Sequence, residues 1–378
     1  MKFLIVVHYF PPHIGGMEEV ALKQANSLID QGHSVTVVTC RPNKQTPLRE
    51  VLDNRVVVKR LRSINLIESV FGVTFPIVSP HHFLWFLKHV KGYDIIHIHD
   101  VFYMTSWLVG ATCHMRKKAY FLTQHVGIVE HPNKLVVFIE KMVYTLVGDR
   151  ILRNSKKVVA YNDNVVRFLK SRGVKADAIM QNYNGIDTDH FSPAKVAKKK
   201  SLRKQYGFEQ DARIVLFVGR LVPKKGYQLI LDGADPANTY VIVGYGNIPP
   251  HYNELSNVTL FGPATQEQLR DLYRLSDVFA FPSAGEIFTL VHQEALASGL
   301  PVVVADDPGY KRYNIDRSRM LMPKRTEKEI AKAVRTVLDD SRLKHAMSQY
   351  GRQIALERFS WRENYPREYA IYGLGDKV

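Results

Sequence analysis

Cysteines and long apolar runs are both scarce in this sequence of 378 residues. The two cysteines, Cys40 and Cys113, belong to no paired spacing, so the sequence predicts neither a disulfide framework nor a thiolate metal site. The longest apolar runs, Phe3–Val7 and Leu135–Ile139, are much shorter than the roughly 20 residues that cross a bilayer. Because His8 also ends the first run too early for a secretion signal, we predict a cytoplasmic protein.

Acidic residues are scarce as well. The chain has 36 Asp and Glu against 52 Lys and Arg, which gives a formal net charge of +16. A surplus of this size attracts nucleic acid, anionic lipid or phosphorylated substrates, and charge alone does not choose among them. The 46% of hydrophobic residues exclude an intrinsically disordered chain. At roughly 150 residues per domain, the length suggests two or three domains.

Buried strands alternate with amphipathic helices from the start of the chain. Phe3–Val7 and Val35–Thr39 are apolar on both faces, and Glu18–Ile29 between them has apolar residues at helical spacing. This order is typical of a parallel sheet covered by helices. Further strands are predicted at 94–99, 119–123 and 157–160, with helices at 82–90 and 134–152. The first half is therefore predicted to be α/β and doubly wound.

The same pattern restarts near residue 190. It predicts a second α/β domain whose five strands lie at 213–218, 239–243, 258–260, 278–280 and 302–305, with helices at 265–275 and 290–298. Helices are also predicted at 327–339 and 343–357. They are followed by an aromatic-rich helix at 359–372 that Pro366 interrupts. We find no internal repeat in the sequence.

The segment Pro282–Val303 is the strongest candidate for a functional site. A predicted strand ends there in a loop, and a helix begins near Thr289 with free N–H groups that suit a diphosphate. Glu286 and Glu294 lie eight residues apart, so one carboxylate could reach sugar hydroxyls and the other a ribose. An acidic helix start and a solvated helix face would explain the same spacing.

This segment, read as P-S-x-x-E-x-F-x-L…E-A-x-A-x-G-x-P-V-V, resembles the retaining glycosyltransferases of family 4. Phe217–Gly226 is similar to the V-G-R-L-x-x-x-K-G segment of that family. Tyr9–Gly16 with Gly32-His33 is similar to its P-x-x-G-G loop and G-H turn, and Asn184–Asp187 to its N-G-V-D linker. The four segments occur in the family's order and span most of the chain.

The resemblance implies the GT-B fold, an α/β architecture in which two Rossmann-like doubly wound domains face a central cleft. Residues 1–190 would bind the acceptor and residues 191–358 the nucleotide sugar, with a C-terminal helix at 359–378 crossing back to the first domain. The implied activity is the transfer of a hexose from a UDP- or GDP-sugar to a saccharide or lipid-linked saccharide acceptor. It would retain the anomeric configuration, serve cell-surface glycan or glycolipid biosynthesis, and need neither cofactor nor metal.

The resemblance also implies roles for individual residues. Arg220 and Lys225 would stabilise the diphosphate, as two cations beside a helix start can do, although solvated loop cations would look the same. Glu286 would hold the sugar and His125 would flank its anomeric carbon, while the leaving phosphate helps to deprotonate the acceptor. Asp100 is a candidate acceptor contact. The expected donor-binding residues are Gly15, Gly16, Gly219, Phe288, Thr289, Leu290 and Glu294, the last on the ribose.

Two other polar patterns resemble metal sites. In His97-Ile98-His99 we expect the two rings on opposite faces of a strand, which would make them scaffold. Asp187-Thr188-Asp189 lies in the predicted linker, which favours a turn. The sequence also departs from the family at Ile287-Phe288-Thr289, where Gly-Phe-Gly is usual, and this leaves the sugar specificity open.

Part of the basic surplus coincides with apolar residues. Lys134–Lys157 is predicted to be a basic amphipathic helix, either on an anionic membrane or with its apolar side in the core. Phe83–Leu87, beside Lys88 and Lys91, is a second candidate anchor. Peripheral binding to the inner face of the cell membrane would follow from either. The basic segment from Lys195 to Lys204 flanks the linker.

Two alternatives remain at the level of sequence. A related GT-B protein could epimerise a UDP-sugar or use phosphate as acceptor. The chain could instead be a non-catalytic basic protein that binds a membrane or another polyanion. We predict no nucleic acid partner, because no recognised binding motif occurs and the aromatic residues fall in predicted core segments.

Overall fold

The predicted strands form two main sheets, one in each of two units. The structure is a computed structural model that describes residues 1–13, 15–65, 75–128, 134–183, 185–286 and 288–374. The first unit comprises Met1–Tyr183 and Tyr365–Val378, and the second comprises Asn184–Asn364.

The sheet of the first unit has eight strands. They are β1 (Lys2–Val6), β2 (Ser34–Cys40), β3 (Arg49–Val51), β4 (Val57–Leu61), β7 (Ile95–His99), β8 (Phe121–Gln124), β9 (Lys157–Ala160) and β10 (Ile179–Gln181). Their order is β10-β9-β8-β7-β1-β2-β4-β3, and only β3 is antiparallel to its neighbour. Two short strands, β5 (Ser63–Ile64) and β6 (Ile77–Val78), pair separately. In the main sheet Ile5 lies opposite Val37 and His97.

Helices cover this sheet. They are α1 (Gly16–Asp30), α2 (His82–His89), α3 (Met104–Arg116), α4 (Lys134–Val143), α5 (Asp149–Asn154) and α6 (Asp163–Ser171). The core consists of strand residues such as Leu4, Ile98 and Leu122 with helix residues such as Val109. The helix predicted at 134–152 is two helices here, joined by a π-helical segment, Tyr144–Gly148.

The sheet of the second unit has five parallel strands. They are β11 (Ile214–Val218), β12 (Thr239–Val243), β13 (Val258–Gly262), β14 (Val278–Phe281) and β15 (Val302–Val304), in the order β13-β12-β11-β14-β15. The helices of this unit are α7 (Val196–Gln205), α8 (Tyr227–Leu231), α9 (Gln266–Leu275), α10 (Leu290–Ala297), α11 (Glu327–Asp339) and α12 (Ser341–Ile354). The five strands and helices α9 to α12 lie within a few residues of the predicted ones, whereas α7 and α8 were not predicted.

In both sheets the strand order reverses beside a central strand. The chain leaves β1 toward β2 on one side, and β7 lies on the other side; β11 has β12 and β14 as the corresponding neighbours. The loops that follow β1 and β7, and those that follow β11 and β14, therefore diverge at the carboxyl ends of the strands. In doubly wound sheets this is where ligands bind.

The last helix differs from the prediction. Helix α13 (Trp361–Ile371) continues through Pro366 without interruption. A proline removes one backbone donor, and side-chain contacts of the following residues hold the second half of α13. The hydroxyl of Tyr369 is 2.7 Å from that of Ser27, and Glu368 accepts a hydrogen bond from Gln24. Within the described ranges, no helix combines the length and apolar character needed to cross a bilayer.

Candidate functional site

An ion pair lies at the reversal point of the second sheet. Lys225 ends the short 3-10 turn after β11, and Glu286 lies in the loop after β14. The Lys225 Nζ atom is 2.7 Å from Oε1 and 2.6 Å from Oε2 of Glu286, and the Ser283 hydroxyl donates to Oε2 at 3.1 Å. Burial lowers the pKa of Lys225, and the carboxylate opposes that effect. Two predicted site residues are thus in direct contact.

The two loops that carry this pair are fastened to each other. The Arg325 Nε donates to the carbonyl of Pro282 at 2.8 Å, and its Nη2 donates to the carbonyls of Pro223 and Lys224 at 2.8 and 3.2 Å. The backbone N–H of Ala284 also donates to the carbonyl of Lys224, at 3.0 Å. Arg325 was missed by the sequence reasoning, because it is distant in sequence from both loops.

The residue after Lys225, Gly226, has to be a glycine for two structural reasons. Its φ is +78°, and a Cβ atom built on it would lie 2.4 Å from the carbonyl oxygen of Pro282. Only glycine fits both the backbone conformation and the approach of the second loop. The K-G step of the sequence pattern is therefore a packing requirement of the ion pair.

Helix α10 begins beside this loop. Thr289 is its N-cap, and the Thr289 N–H donates to Nδ1 of His292 at 3.3 Å. Burial, with a contribution from the charge of Lys225, lowers the pKa of His292 to about 3, so the ring is neutral. The side chain of Thr289 caps the backbone N–H of His292. The N–H groups of Leu290 and Val291 have no partner within the helix and are suited to an anion.

Two other residues that were predicted to bind the sugar donor, Phe288 and Glu294, lie in different environments. Phe288 has a φ of +45°, and its ring is buried among Tyr310, Tyr313 and Phe359. Its carbonyl oxygen accepts a hydrogen bond from Nε2 of Gln293 at 2.6 Å. Glu294 is buried and accepts a hydrogen bond from the Tyr273 hydroxyl at 3.0 Å.

The end of β11 supplies two more of these residues. Gly219 directly follows the strand and is half-buried. Arg220 comes next and is exposed, and its guanidinium has no hydrogen-bond or ion-pair partner among the described residues.

In the first unit, the loop after β1 holds Gly15 and Gly16 at the start of α1. A carboxylate already lies there: a Cβ atom on Gly15 would be 2.2 Å from Oε2 of Glu18. The other oxygen of Glu18 is 2.7 Å from Nδ1 of His13 and 3.7 Å from Nε2 of His8. The loop in which Gly15 and Gly16 were expected to bind the donor is therefore lined by Glu18, which the sequence reasoning did not single out.

The loops after β7 and β8 hold Asp100 and His125. Asp100 is fully buried with a φ of +60°, and its carboxylate accepts the N–H of Phe102 at 3.0 Å. Burial raises the pKa of Asp100 to about 6. His125 is half-buried, and burial lowers its pKa to about 3. A neutral imidazole and a carboxyl group of weakened acidity thus follow neighbouring strands.

Comparison with known proteins agrees with this geometry. Residues 14–190 match the family described as Glycosyltransferase Family 4, and residues 198–354 match Glycosyl transferases group 1. The two matches together cover most of the chain.

The chain belongs to glycosyltransferase family 4. It is a glycosyltransferase that takes a sugar from a nucleotide-sugar donor, and the members of this family are retaining hexosyltransferases. An uncharacterized glycosyltransferase of Methanocaldococcus jannaschii is 26% identical to it over 97% of this chain and 96% of that protein.

Solved structures show the fold of this glycosyltransferase. Sucrose-phosphate synthase from Thermosynechococcus elongatus is 21% identical and superposes over 98% of both chains with a TM-score of 0.77. HepE of Anabaena, in complex with UDP-glucose, is 18% identical and covers 99% of this chain and 100% of its own, with a TM-score of 0.74. The predicted GT-B fold is confirmed.

The expectation for the paired histidines of this glycosyltransferase is wrong. The ring centroids of His97 and His99 are 4.9 Å apart, because residues i and i+2 of a strand point to the same face. Both rings are fully buried, and each forms hydrogen bonds with other side chains. Within the described part of the chain, no group of three or more His, Cys, Asp or Glu side chains could hold a metal ion.

The second metal-like pattern is a turn, as predicted. Oδ1 of Asp187 accepts the N–H groups of Asp189 and His190 at 3.1 and 2.9 Å. Three predictions fall outside the described residues: those for Asn184, Ile287 and the last four residues of the C-terminal helix.

The amphipathic segment of the enzyme exposes its apolar side. We call the following side chains the exposed apolar stripe: Leu135, Phe138, Ile139, Met142 and Leu146. The alternative in which this side of the helix packs in the core is therefore wrong. In the second candidate anchor only Leu84 is exposed, whereas Phe86 is fully buried and Trp85 is half-buried with Lys59 Nζ 3.7 Å from the centre of its ring system. That segment offers no continuous apolar surface.

Proposed function

We propose that this glycosyltransferase transfers a hexose from a UDP- or GDP-sugar to a hydroxyl group of a saccharide or lipid-linked saccharide, in cell-surface glycan or glycolipid biosynthesis. The observation that carries the proposal is the contact of Lys225 with Glu286 at the reversal point of the second sheet, beside the start of α10. A cation and a carboxylate there match the two parts of a nucleotide sugar, which are an anionic diphosphate and a ring of hydroxyl groups.

The pair changes partners when the donor binds. Lys225 Nζ exchanges the carboxylate of Glu286 for a diphosphate oxygen, and the released carboxylate accepts hydrogen bonds from sugar hydroxyls. Arg220 and the first N–H groups of α10 add positive potential, so the leaving diphosphate is stabilised by the protein's own charges. We propose that no metal ion is needed for this step. Glu294, which the Tyr273 hydroxyl orients, takes the ribose.

The reaction follows from this binding mode. The bond from the anomeric carbon to the diphosphate oxygen breaks, and the acceptor oxygen forms its bond on the same face of the sugar. The acceptor proton passes to the leaving diphosphate. His125 lies at the sugar in this scheme. UDP-glucose is the first donor to test, because the HepE structure holds it.

A donor panel tests the proposal. UDP- and GDP-hexoses are scored for release of nucleoside diphosphate with and without a membrane extract, using wild type, Lys225→Ala and Glu286→Ala. Lys224→Ala is the matched control, since it removes the neighbouring positive charge. We expect extract-dependent release from one donor, lost in both site variants and kept in the control. No release from any donor, or equal loss in the control, would contradict the proposal.

Analysis of the products separates the alternatives. Conversion of the donor into a second UDP-sugar without an acceptor would indicate epimerisation. Release of nucleoside diphosphate that requires inorganic phosphate and yields a sugar phosphate would indicate a phosphorylase-type reaction. Attachment of the hexose to a component of the extract would support transfer.

We also propose that the exposed apolar stripe binds an anionic membrane. Five large apolar side chains are exposed there, at helical spacing. Exposed cations follow the same segment, including Lys134, Lys141, Arg150 and Arg153. Apolar contact and attraction to anionic lipid then act together. A lipid-linked acceptor would be found at this surface.

Vesicle sedimentation tests this binding. We expect the enzyme to sediment with phosphatidylglycerol vesicles and much less with phosphatidylcholine vesicles. Leu146→Glu should abolish sedimentation, and Val196→Glu should not, although the two side chains are 70% and 73% exposed and the second lies on the basic helix α7. Equal sedimentation of both variants, or none by wild type, would argue against the stripe.

A further inference from the structure

A chain of hydrogen bonds links His125 to the C-terminal segment inside the first unit. Nε2 of His125 is 3.0 Å from Nδ1 of His99, and Nε2 of His99 is 2.8 Å from Oε1 of Gln24. Nε2 of Gln24 in turn donates to Oε1 of Glu368 at 2.6 Å and to the Tyr372 hydroxyl at 2.9 Å. Every member of this chain except His125 is buried.

The chemistry of Glu368 decides which atom donates in each of these hydrogen bonds. An ionised carboxylate only accepts hydrogen bonds, so Gln24 must turn its NH₂ group toward Glu368 and its carbonyl oxygen toward His99. His99 therefore carries its proton on Nε2 and accepts at Nδ1. It follows that His125 carries its proton on Nε2.

The hydrogen bonds beyond Tyr372 agree with this direction. The Tyr372 hydroxyl accepts from Gln24 and donates to Nδ1 of His97 at 2.8 Å, and Nε2 of His97 donates to the Thr123 hydroxyl at 2.8 Å. Burial lowers the pKa of His97 to about 3 and that of His99 well below its usual value, so both rings hold a single proton. One proton per ring satisfies every contact in the chain.

We propose that Glu368 and Gln24 are positioning residues that hold His125 as the neutral tautomer protonated on Nε2, with the Nδ1 lone pair free to accept a hydrogen bond from a hydroxyl of the bound sugar. Among the described residues, Nδ1 of His125 has no hydrogen-bond partner. The sugar contact rests on the proposed function, whereas the tautomer does not.

This assignment selects the class of group that His125 binds. An unprotonated Nδ1 accepts hydrogen bonds, so it suits a hydroxyl and disfavours a phosphate, which would need an imidazolium or another donor. The C-terminal segment then does more than close the first unit, because its carboxylate decides whether Nδ1 of His125, on another element, carries a proton.

Imidazole nitrogen NMR tests the tautomer in the full-length enzyme without substrate. The chain has 15 histidines, so a His125→Gln sample identifies the His125 signals. At about pH 8 Glu368 is ionised, since burial raises its pKa to about 7. We expect a single His125 tautomer with the proton on Nε2. A proton on Nδ1, or a mixture of tautomers in wild type, would overturn the proposal.

Two variants on the same helix separate positioning from packing. Glu368→Leu removes the acceptor that orients Gln24, and Tyr369→Phe removes the neighbouring hydroxyl that bonds Ser27 of the same helix α1. We expect mixed His125 tautomers in Glu368→Leu and the wild-type spectrum in Tyr369→Phe. With an active donor, kcat should fall by up to about tenfold in the first variant, with KM within about twofold, and stay near wild type in the second.

The outcomes are distinguishable from those of the proposed function. A single Nε2-protonated tautomer in both variants, or equal losses of kcat in both, would overturn the positioning role even if transfer is established. Conversely, the tautomer result stands if no donor is turned over. If Glu368→Leu does not fold, Gln24→Met breaks the same chain one step closer to His125, and the same mixture is expected.

Discussion

The two units place different chemistry at the same point of a doubly wound sheet. In the second unit, the reversal point beside β11 carries Lys225 and Glu286, which are charged, half-buried and in direct contact. In the first unit, the loop after β1 carries His8, and the loop after β8, which β7 separates from β1, carries His125. Burial lowers the pKa values of these two histidines to about 4 and about 3. One unit presents a charged pair, and the other presents neutral imidazole rings with the carboxylate of Glu18 beside His8.

The difference in charge between the two units follows from the neighbours of Lys225 and of the histidines. Burial lowers the pKa of the Lys225 ammonium, and the carboxylate of Glu286 in contact with it opposes that effect. At His8, burial outweighs the carboxylate of Glu18, which lies 3.7 Å from Nε2. The ring of His8 also stacks on Tyr103, with 3.9 Å between the ring centroids. A diphosphate needs the first environment, and selection among sugar hydroxyls suits the second.

Removing the charge of the second unit should have the largest effect. Lys225→Met keeps most of the side-chain length and deletes the ammonium that we propose stabilises the leaving diphosphate. We expect kcat/KM to fall roughly 100- to 1000-fold, as for other preorganised groups that stabilise developing charge. Steady-state kinetics with the active donor measure this fall.

Replacing a neutral side chain of the first unit should have a smaller effect than removing the charge of Lys225. His125→Gln keeps a donor and an acceptor, so we expect a fall of only about tenfold, the size of a weakened hydrogen bond between neutral groups. A loss as large as that of Lys225→Met would mean that His125 acts as a charged group, and the distinction between the units would fail.

Crowding the charged loops should destabilise the second unit. Gly226→Ala combines a φ of +78° with a Cβ atom 2.4 Å from a backbone oxygen, whereas Gly207→Ala at a φ of +76° meets nothing within 4 Å. We expect the free energy of unfolding to fall by about 3 kcal/mol for Gly226→Ala and about 1 kcal/mol for Gly207→Ala. Urea unfolding compares them, and equal losses would show that the loops can move apart.

Acid should act mainly on the first unit. Four histidines there bind protons more readily when the chain is unfolded, near pH 6.5, so stability is lost as the pH falls below that value. They are the buried His8, His97 and His99 and the half-buried His125. Glu368 and Asp100, with pKa values raised to about 7 and about 6, act in the opposite direction but are fewer. We expect the free energy of unfolding to be lower at pH 5 than at pH 7 by about 2 kcal/mol or more.

A histidine variant checks the origin of this loss. His97→Gln removes one of the four groups and should reduce the difference between the two pH values. Urea unfolding that gives the same free energy at pH 5 and pH 7 would contradict the neutral state of these rings.

Local sequence patterns predicted much of this molecule. Strands that are apolar on both faces predicted the two sheets, and this prediction succeeds because periodicity is determined by neighbouring residues. The grouping of Lys225 with Glu286 in one donor site came from the family resemblance. The two side chains do lie in contact, and their roles stay predictions.

What escaped prediction depends on contacts distant in sequence or on burial. Gln24 meets Glu368 only because the chain returns to the first unit, and Arg325 reaches carbonyls more than 40 residues away. The amphipathic pattern after Lys134 could not show whether its apolar side faces the core. The error over His97 and His99 was one of strand geometry.

The smallest expected effect concerns the fastening of the charged loops. Arg325→Lys keeps the charge but cannot hold the carbonyls of Pro223 and Pro282 together in the planar geometry of a guanidinium. We expect kcat/KM for the donor to fall about fivefold, close to 1 kcal/mol. The matched control is Arg335→Lys, whose exposed side chain contacts Asp235 in the same unit. If both variants behave like wild type, the bond from Ala284 N–H to the carbonyl of Lys224 is enough to set the loops.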